Sequence, residues 1–169
     1  MSQAKLIWSD LTDLEISDRD IYAKELTRRY KDEKNNWQEE KYNLHYYSWA
    51  ACWRELMNRF PDAEYSFERF EREGKLYDVM YYPNQTASVH CTVRIDEIER
   101  DMWLPVMNYK NEAIVNPDAR QISDAKMRCL VKTIAMFGLG LDLYEGKYDP
   151  DSADQEEKNK ELNQENKEQ

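Results

Sequence analysis

The sequence predicts an α+β fold in which helices pack on one face of an antiparallel sheet of three to four strands. Three observations predict it. Residues 49–60 carry apolar side chains at helical spacing, residues 63–95 contain short runs rich in aromatic and β-branched residues, and a second helical pattern begins at residue 125. Because the strand-like runs follow one another without an intervening helix, the order is typical of an antiparallel sheet.

The N-terminal part, residues 17–31, is predicted to form a helix with a narrow apolar stripe. Ser17 stands three residues before Asp20, as in a capping box. The stripe is formed by residues spaced four apart: Tyr22, Leu26 and Tyr30. The mixed-charge segment KDEKNNWQEEK follows and is predicted to be a linker. We therefore expect residues 1–36 to form an N-terminal helical appendage.

Residues 49–60 are predicted to form a helix that supports the core. Ser48 is placed to cap it and Pro61 to end it. Its buried face is predicted to consist of Trp49, Cys52, Trp53, Leu56, Met57 and Phe60. Burying each large side chain stabilises the fold by roughly 1.5–3 kcal/mol, so this helix is expected to contribute strongly to the core.

Four runs are predicted to be strands: residues 63–71, 75–82 and 86–95, and Met102–Met107, in which Pro105 favours an edge or a strand end. The third run alternates clearly, as a strand with one buried face does. Its core-facing residues are expected to be Ala87, Val89, Cys91, Val93 and Ile95. The residues between them are expected to face solvent: Ser88, His90, Thr92 and Arg94.

The segment AKMRCLVKTIAMFGLGLDLY, residues 125–144, is predicted to begin a helix capped by Ser123 or Asp124. Its predicted buried side consists of Met127, Leu130, Val131, Ile134, Gly138 and Leu141. The segment has three basic residues and no acidic one before Asp142. Those residues are Lys126, Arg128 and Lys132. Arg128 and Lys132 lie one turn apart beside the buried side, either as a positively charged strip or as cations that merely border the core.

Charge is distributed unevenly along the chain. The formal net charge is −10, and residues 149–169 carry 8 acidic and 3 basic side chains, which is half of it. That segment has no aromatic residue and only Leu162 as an aliphatic residue larger than alanine, so it is predicted to be a disordered acidic tail. The acidity argues against loose attraction to nucleic acid or to an anionic membrane, but it leaves room for a local basic strip.

The three cysteines lie far apart and inside apolar patterns, which is typical of reduced, packed thiols in a cytoplasmic protein. The start MSQAKLIWSD lacks the layout of a secretory signal, and no apolar run approaches the roughly 20 residues of a membrane span. We therefore expect no membrane partner.

Catalysis finds little support in the sequence. No glycine-rich phosphate loop is present, and His45 and His90 stand far apart without metal-ligand spacing. The acidic run IDEIERD, residues 95–101, is better explained as a solvated turn than as a cation site. We expect no enzyme activity, no cofactor and no metal. The least favoured alternative is a metal-dependent nuclease using Asp96, Glu97, Glu99 or Asp101.

Three segments together carry a family resemblance: NLHYYSWAACWRELMNRFPDAEY, MWLPVMNYKNEAI and ISDAKMRCLVKTIAMFGLGLDLYEG. In this order they resemble the phage single-strand annealing proteins of the Sak and Erf type, which are related to the eukaryotic recombination mediator Rad fifty-two. With the strands between them they cover about residues 43–147. The single-strand annealing domain is therefore expected at residues 37–148, between the appendage and the tail.

The resemblance implies a curved antiparallel sheet packed against a long helix, and subunits that assemble side by side into rings or filaments. It further implies that single-stranded DNA is held in a groove and annealed without ATP during phage recombination, in the cytoplasm of the bacterial host. RNA remains open as a second ligand, and the acidic tail is a candidate docking segment for a host single-strand-binding protein.

The resemblance carries Arg128 and Lys132 over as nucleic-acid-binding residues, because they match the basic positions of the motif helix. Charge and expected exposure add five further candidates: Arg94, Lys126, Lys110, Arg120 and Trp103. The alternative is a non-catalytic scaffold that recruits a replication or recombination partner without binding DNA. Salt-dependent binding to single strands separates the two hypotheses.

Overall fold

The structure is a computed structural model, and it describes residues 1–108 and 110–145. The predicted tail, residues 149–169, lies outside the described residues. The described helices are α1 (Gln3–Thr12), α2 (Trp49–Arg59) and α3 (Ala119–Ala135), with short 3-10 turns at Asp18–Asp20 and Leu141–Leu143. The described strands are β1 (Ile21–Lys31), β2 (Trp37–Tyr47), β3 (Glu64–Phe67), β4 (Phe70–Arg72), β5 (Lys75–Tyr77), β6 (Met80–Tyr81), β7 (Ala87–Ile95) and β8 (Ile98–Pro105). The predicted α+β class is confirmed.

Strand β7 is the centre of a four-stranded antiparallel sheet. Strand β8 pairs with one edge of β7 along its whole length, while β3 and β6 pair with the C-terminal and N-terminal parts of β7. All five residues predicted to face the core are buried, as predicted, and Arg94 is exposed on the opposite face. The prediction that Ser88 faces solvent is wrong, because Ser88 is fully buried and its hydroxyl shares hydrogen bonds with Tyr82 and His90. Strands β4 and β5 form a separate small hairpin.

Helix α3 packs against β7 and β8 and closes the core. Leu130, Val131 and Ile134 are buried as predicted, and the sheet contributes Val89 and Val93 to the same cluster. The predicted start at Ser123 or Asp124 is wrong. Residue 118 is the N-cap, because the Asp118 carboxylate accepts the Gln121 N–H at 2.9 Å and the Gln121 side chain accepts the Asp118 N–H at 2.9 Å.

Helices α1 and α2 cover the remaining side of the core. Ile7 and Leu11 of α1 are fully buried, so the extreme N-terminus belongs to the folded body. The helix predicted at residues 49–60 is confirmed as α2 and buries Leu56 completely, although Trp49 is half exposed. None of the described helices has the length and apolar character required to span a bilayer.

The helix predicted at residues 17–31 is wrong, and so is the linker after it. Residues 21–31 form β1, which pairs antiparallel with β2 over eleven residue pairs, from Ile21↔Tyr47 to Lys31↔Trp37. The predicted boundary at residue 36 therefore falls inside one continuous hairpin, residues 21–47. The turn is closed by the Asp32 carboxylate, which accepts the N–H groups of Lys34 and Asn36, each at 2.9 Å.

Candidate nucleic-acid interface

Arg128 and Lys132 lie one turn apart on α3, as their spacing predicts. The Arg128 guanidinium is exposed and donates a hydrogen bond of 3.1 Å to Asn111 Oδ1. Lys132 is half-buried, and its Nζ lies 5.8 Å from the centre of the Tyr144 ring. Within the described residues neither cation forms an ion pair with a carboxylate. Both positive charges thus remain available to a phosphate.

The loop before α3 is held against Arg128 by its own side chains. Asn108 Oδ1 accepts the N–H of Lys110 at 2.9 Å and the N–H of Glu112 at 3.0 Å, which closes a tight turn. This turn presents the Asn111 amide to Arg128 and leaves Lys110, the preceding residue, exposed. We call Lys110, Asn111, Arg128, Lys132 and Tyr144 the α3 patch.

Arg94 does not belong to the α3 patch. It projects from the sheet face opposite to the one that α3 covers, and its guanidinium is paired with the Glu64 carboxylate. Two further carboxylates follow on β8, since Glu99 is the cross-strand partner of Arg94 and Asp101 that of Thr92. The positive charge of Arg94 is therefore compensated on this face of the sheet.

Trp103 lies on the same outer sheet face as Arg94 and is 52% exposed. It stacks on its cross-strand partner His90 with ring centroids 6.3 Å apart, and Phe70 also contacts His90 edge-on, with centroids 5.0 Å apart. His90 also shares a hydrogen bond of 3.0 Å with Ser88 Oγ. The three rings form an aromatic row, separated from the α3 patch by the thickness of the sheet.

Lys126 and Arg120 complete the predicted set. Lys126 Nζ lies 2.8 Å from the Asp78 carboxylate and 5.2 Å from the centre of the Phe67 ring. That hydrogen bond holds the pKa of the Asp78 carboxyl below its usual range. Arg120 is exposed in the first turn of α3, about 12 Å along the helix axis from Arg128. The structure thus brings together two of the seven predicted residues, Arg128 and Lys132, and Lys110 is the exposed neighbour of the Asn111 that contacts Arg128.

The sequence reasoning did not single out Asn111 or Tyr144 as site residues. Tyr144 follows the GLG segment at the end of α3, where a tyrosine near two basic residues is a usable signal for nucleic-acid contact. The asparagines at 108 and 111 are residues typical of a tight turn. Neither signal was specific before the structure placed these side chains beside Arg128 and Lys132.

The described part of the chain offers no metal site, no reactive cysteine and no phosphate-binding cleft. No group of three or more His, Cys, Asp or Glu residues there has the arrangement needed to hold a metal ion. The three cysteines are free and buried, as predicted, and burial raises the pKa of Cys129 to about 11 and that of Cys91 to about 12. A cleft of about 600 Å³ is lined by residues 12–18 and Asp142, and its carboxylates suit no phosphate.

Comparison with known proteins shows the family of the chain. No curated protein is similar enough to the chain to count as a match. A family model described as Sak Single Strand Annealing Protein matches residues 22–169. The matched region begins at the second residue of β1 and includes the hairpin, the four-stranded sheet and α3. The chain therefore belongs to the Sak single-strand annealing protein family.

Proposed function

We propose that this protein binds single-stranded DNA and anneals complementary strands without ATP during phage recombination. The α3 patch is the phosphate-binding element. The observation that carries the proposal is the pair Arg128 and Lys132, one turn apart and without a carboxylate partner among the described residues. The chain has a net charge of −10, and within the described residues Arg128 is held by a neutral amide and Lys132 lies beside the Tyr144 ring.

Annealing requires that a strand be held by its backbone while its bases stay accessible. Lysine and arginine meet this requirement, because they bind phosphate oxygens and release condensed counterions without touching the base edges. Arg128 and Lys132 are about 6 Å apart along the helix axis, so they contact different phosphate groups of one strand. Tyr144, which is 48% exposed, offers a ring on which one base stacks.

We propose that the protein works as a homo-oligomeric ring or filament in the cytoplasm of the bacterial host. Two cations per subunit give a modest affinity, which repetition along an assembly multiplies. The acidity of the rest of the chain limits nonspecific binding. Residues 149–169 would provide the contact with a host single-strand-binding protein.

The test is the double variant Arg128→Ala with Lys132→Ala. We expect it to weaken binding to a labelled single-stranded oligonucleotide roughly a hundredfold or more, because each of the two lost charge-assisted contacts contributes about 1.5 kcal/mol or more. We also expect annealing of complementary oligonucleotides to fall to the uncatalysed rate. Fluorescence anisotropy measures the first quantity and a strand-pairing assay the second.

The matched control is Arg59→Ala with Lys75→Ala, which removes two exposed positive charges from α2 and β5. This control is expected to anneal as the wild type does. Sedimentation is expected to give both variants the wild-type assembly size. Unchanged annealing in the α3 double variant would contradict the site, and absence of salt-dependent binding in the wild type would favour the scaffold alternative.

A further inference from the structure

The hairpin of residues 21–47 is anchored to the folded body at its base. Tyr47 is buried with its ring against Gly140, and the Ser48 N–H donates to Asp20 O at 3.0 Å. Beyond the base, almost all of both strands is exposed, and within the described residues neither outer edge pairs with another strand. A two-stranded hairpin is marginally stable by itself, and open edges are templates for pairing.

One face of the hairpin carries exposed tyrosines, with the charged pair Arg28 and Glu40 between them. Cross-strand pairing places Tyr22 opposite Tyr46 and Leu26 opposite Tyr42, and Tyr30 lies on the same face. The rings of Tyr22 and Tyr46 stack with centroids 5.6 Å apart. The four tyrosines are each between 41% and 51% exposed. Exposed tyrosines are enriched at protein interfaces, so this face is a candidate contact surface.

The two edges of the hairpin differ in charge. Strand β1 has a net charge of +3, from Lys24, Arg28, Arg29 and Lys31 against Glu25. Strand β2 has a net charge of −1, from Lys41 against Glu39 and Glu40. Pairing two β1 edges through a two-fold axis would bring like charges together, which destabilises a sheet. Pairing β1 of one copy with β2 of another brings opposite net charges together.

We propose that the hairpin joins copies of this chain head to tail, with the β1 edge of one copy pairing antiparallel with the β2 edge of the next. This contact continues the alternation of strand directions already present in the hairpin, so the tyrosine faces of successive copies align on one side. A head-to-tail contact generates a ring or a filament, whereas a two-fold contact stops at a dimer. This inference rests on the proposed function, because it identifies the surface through which the proposed annealing oligomer assembles.

The charge difference can be inverted without removing the pairs inside the hairpin. Arg29 contacts Glu39 at 2.6 Å, and Arg28 contacts Glu40 at 3.5 Å. A four-residue exchange, Arg28→Glu, Arg29→Glu, Glu39→Arg and Glu40→Arg, keeps both pairs in the reverse sense. It gives β1 a net charge of −1 and β2 a net charge of +3. Circular dichroism and thermal unfolding are expected to match the wild type.

Assembly is measured without DNA, so a failure of strand binding does not affect the result. Sedimentation of the exchanged protein alone is expected to give the wild-type size, because its two edges remain complementary. When wild type and exchanged protein carry different affinity tags and are mixed, copurification is expected to fall at least tenfold below that of two wild-type copies. Wild-type levels of copurification, or a wild type that sediments as a monomer, would overturn the proposal.

A second measurement uses milder changes. Thr27→Cys and Asn43→Cys place thiols on exposed positions of β1 and β2, while the natural cysteines are buried. A short bismaleimide is expected to link the two variants when they are mixed, several-fold more than it links either variant alone. Cross-linking of the Thr27→Cys protein with itself at the level of the mixture would overturn the head-to-tail arrangement in favour of a two-fold contact.

Discussion

Lys126 Nζ lies 2.8 Å from the Asp78 carboxylate, so this cation is compensated within the subunit. Arg128, two residues further along α3, is instead held by the neutral amide of Asn111. The two basic residues therefore have different roles, although the sequence presents them as members of one basic group. The ion pair of Lys126 connects α3 to the segment before β6, while Arg128 has no carboxylate partner within the described residues.

The first prediction is that Lys126→Ala changes DNA affinity less than twofold. The ion pair with Asp78 and the contact with Phe67 contribute at most about 1 kcal/mol each, because both groups are partly exposed. A small loss of thermal stability is therefore the expected effect. Asp78→Asn is the matched change and should strengthen binding by releasing the charge of Lys126. A loss of affinity in Lys126→Ala equal to that in Lys132→Ala would contradict this assignment.

The second prediction concerns the outer face of the sheet. Arg94→Ala is expected to leave strand binding unchanged, because Glu64 already compensates this guanidinium and α3 packs on the opposite face. Titration of a labelled oligonucleotide at low salt, where weak phosphate contacts are strongest, is the most demanding measurement. Arg120→Ala provides a comparison, since Arg120 lies on α3 itself. A strand that followed the outer face would make Arg94→Ala the more damaging of the two.

The third prediction separates charge from stacking. The Arg128→Ala and Lys132→Ala pair should reduce the slope of log affinity against log salt by about 1.4 per bound subunit, because two phosphate contacts are lost. Tyr144→Ser should cost about 1–3 kcal/mol of binding free energy while leaving that slope nearly unchanged.

Trp103→Ala is the control for Tyr144→Ser, because it removes an equally exposed ring from the other side of the sheet. Its affinity is expected to equal that of the wild type. An identical loss in both variants would mean that the strand reaches the aromatic row of Trp103, His90 and Phe70 as well.

The fourth prediction concerns the chain reversal after α3. Gly138 has φ +113°, and a Cβ there would overlap Thr12 Oγ1 and approach Trp8 O to 3.2 Å. Gly138→Ala is therefore expected to lower the free energy of unfolding by roughly 2–4 kcal/mol, since α1 has no room to move outward without exposing Leu11. Chemical denaturation measures the change.

The glycine at position 74 gives the matched control for this substitution. Gly74 also has a positive φ, of +74°, but nothing lies within 4 Å of the added Cβ. Only the penalty of a positive φ for a residue with a Cβ remains, so Gly74→Ala is expected to lower the free energy of unfolding by about 1 kcal/mol. Equal losses at the two glycines would show that backbone conformation, not the contact with α1, determines the effect.

The central sheet and its helices were predictable from the sequence because their patterns are unambiguous. In β7, every second residue from Ala87 to Ile95 is apolar and buried, a period that no helix shares. In α2, apolar residues recur at both three and four positions, which no strand allows. The start of α3 was missed although Asp118 and Gln121 have the spacing of a capping box.

The hairpin was not predictable from the same kind of evidence. Tyr22, Leu26 and Tyr30 are four residues apart, which is one helical turn but also an even number, so they share a face of a strand as well. A large apolar residue at an odd offset after Tyr22 would have distinguished a helix from a strand, but the large residues at those offsets are polar. The turn chemistry of Asp32 and Asn35 was the better signal, because Asn35 adopts a φ of +63° that asparagine tolerates.

The candidate site was half predictable. The spacing of Arg128 and Lys132 on a helix follows from sequence alone, and so does their place beside the core. Which cations are neutralised does not follow, because Asp78 and Glu64 lie 48 and 30 residues away from their partners and meet them only in the folded chain. Long-range ion pairs of this kind produce no periodic pattern in the sequence from which they could be predicted.

The amide that holds Arg128 has a consequence for turnover. Asn111 orients the guanidinium before a strand arrives, so little rotamer entropy remains to be lost on contact. In the proposed function, an incoming phosphate would displace a neutral oxygen and not a carboxylate, so binding would break no ion pair. Dissociation would restore the same hydrogen bond to Asn111. We therefore expect a mismatched strand to dissociate readily, so that a complementary one can take its place.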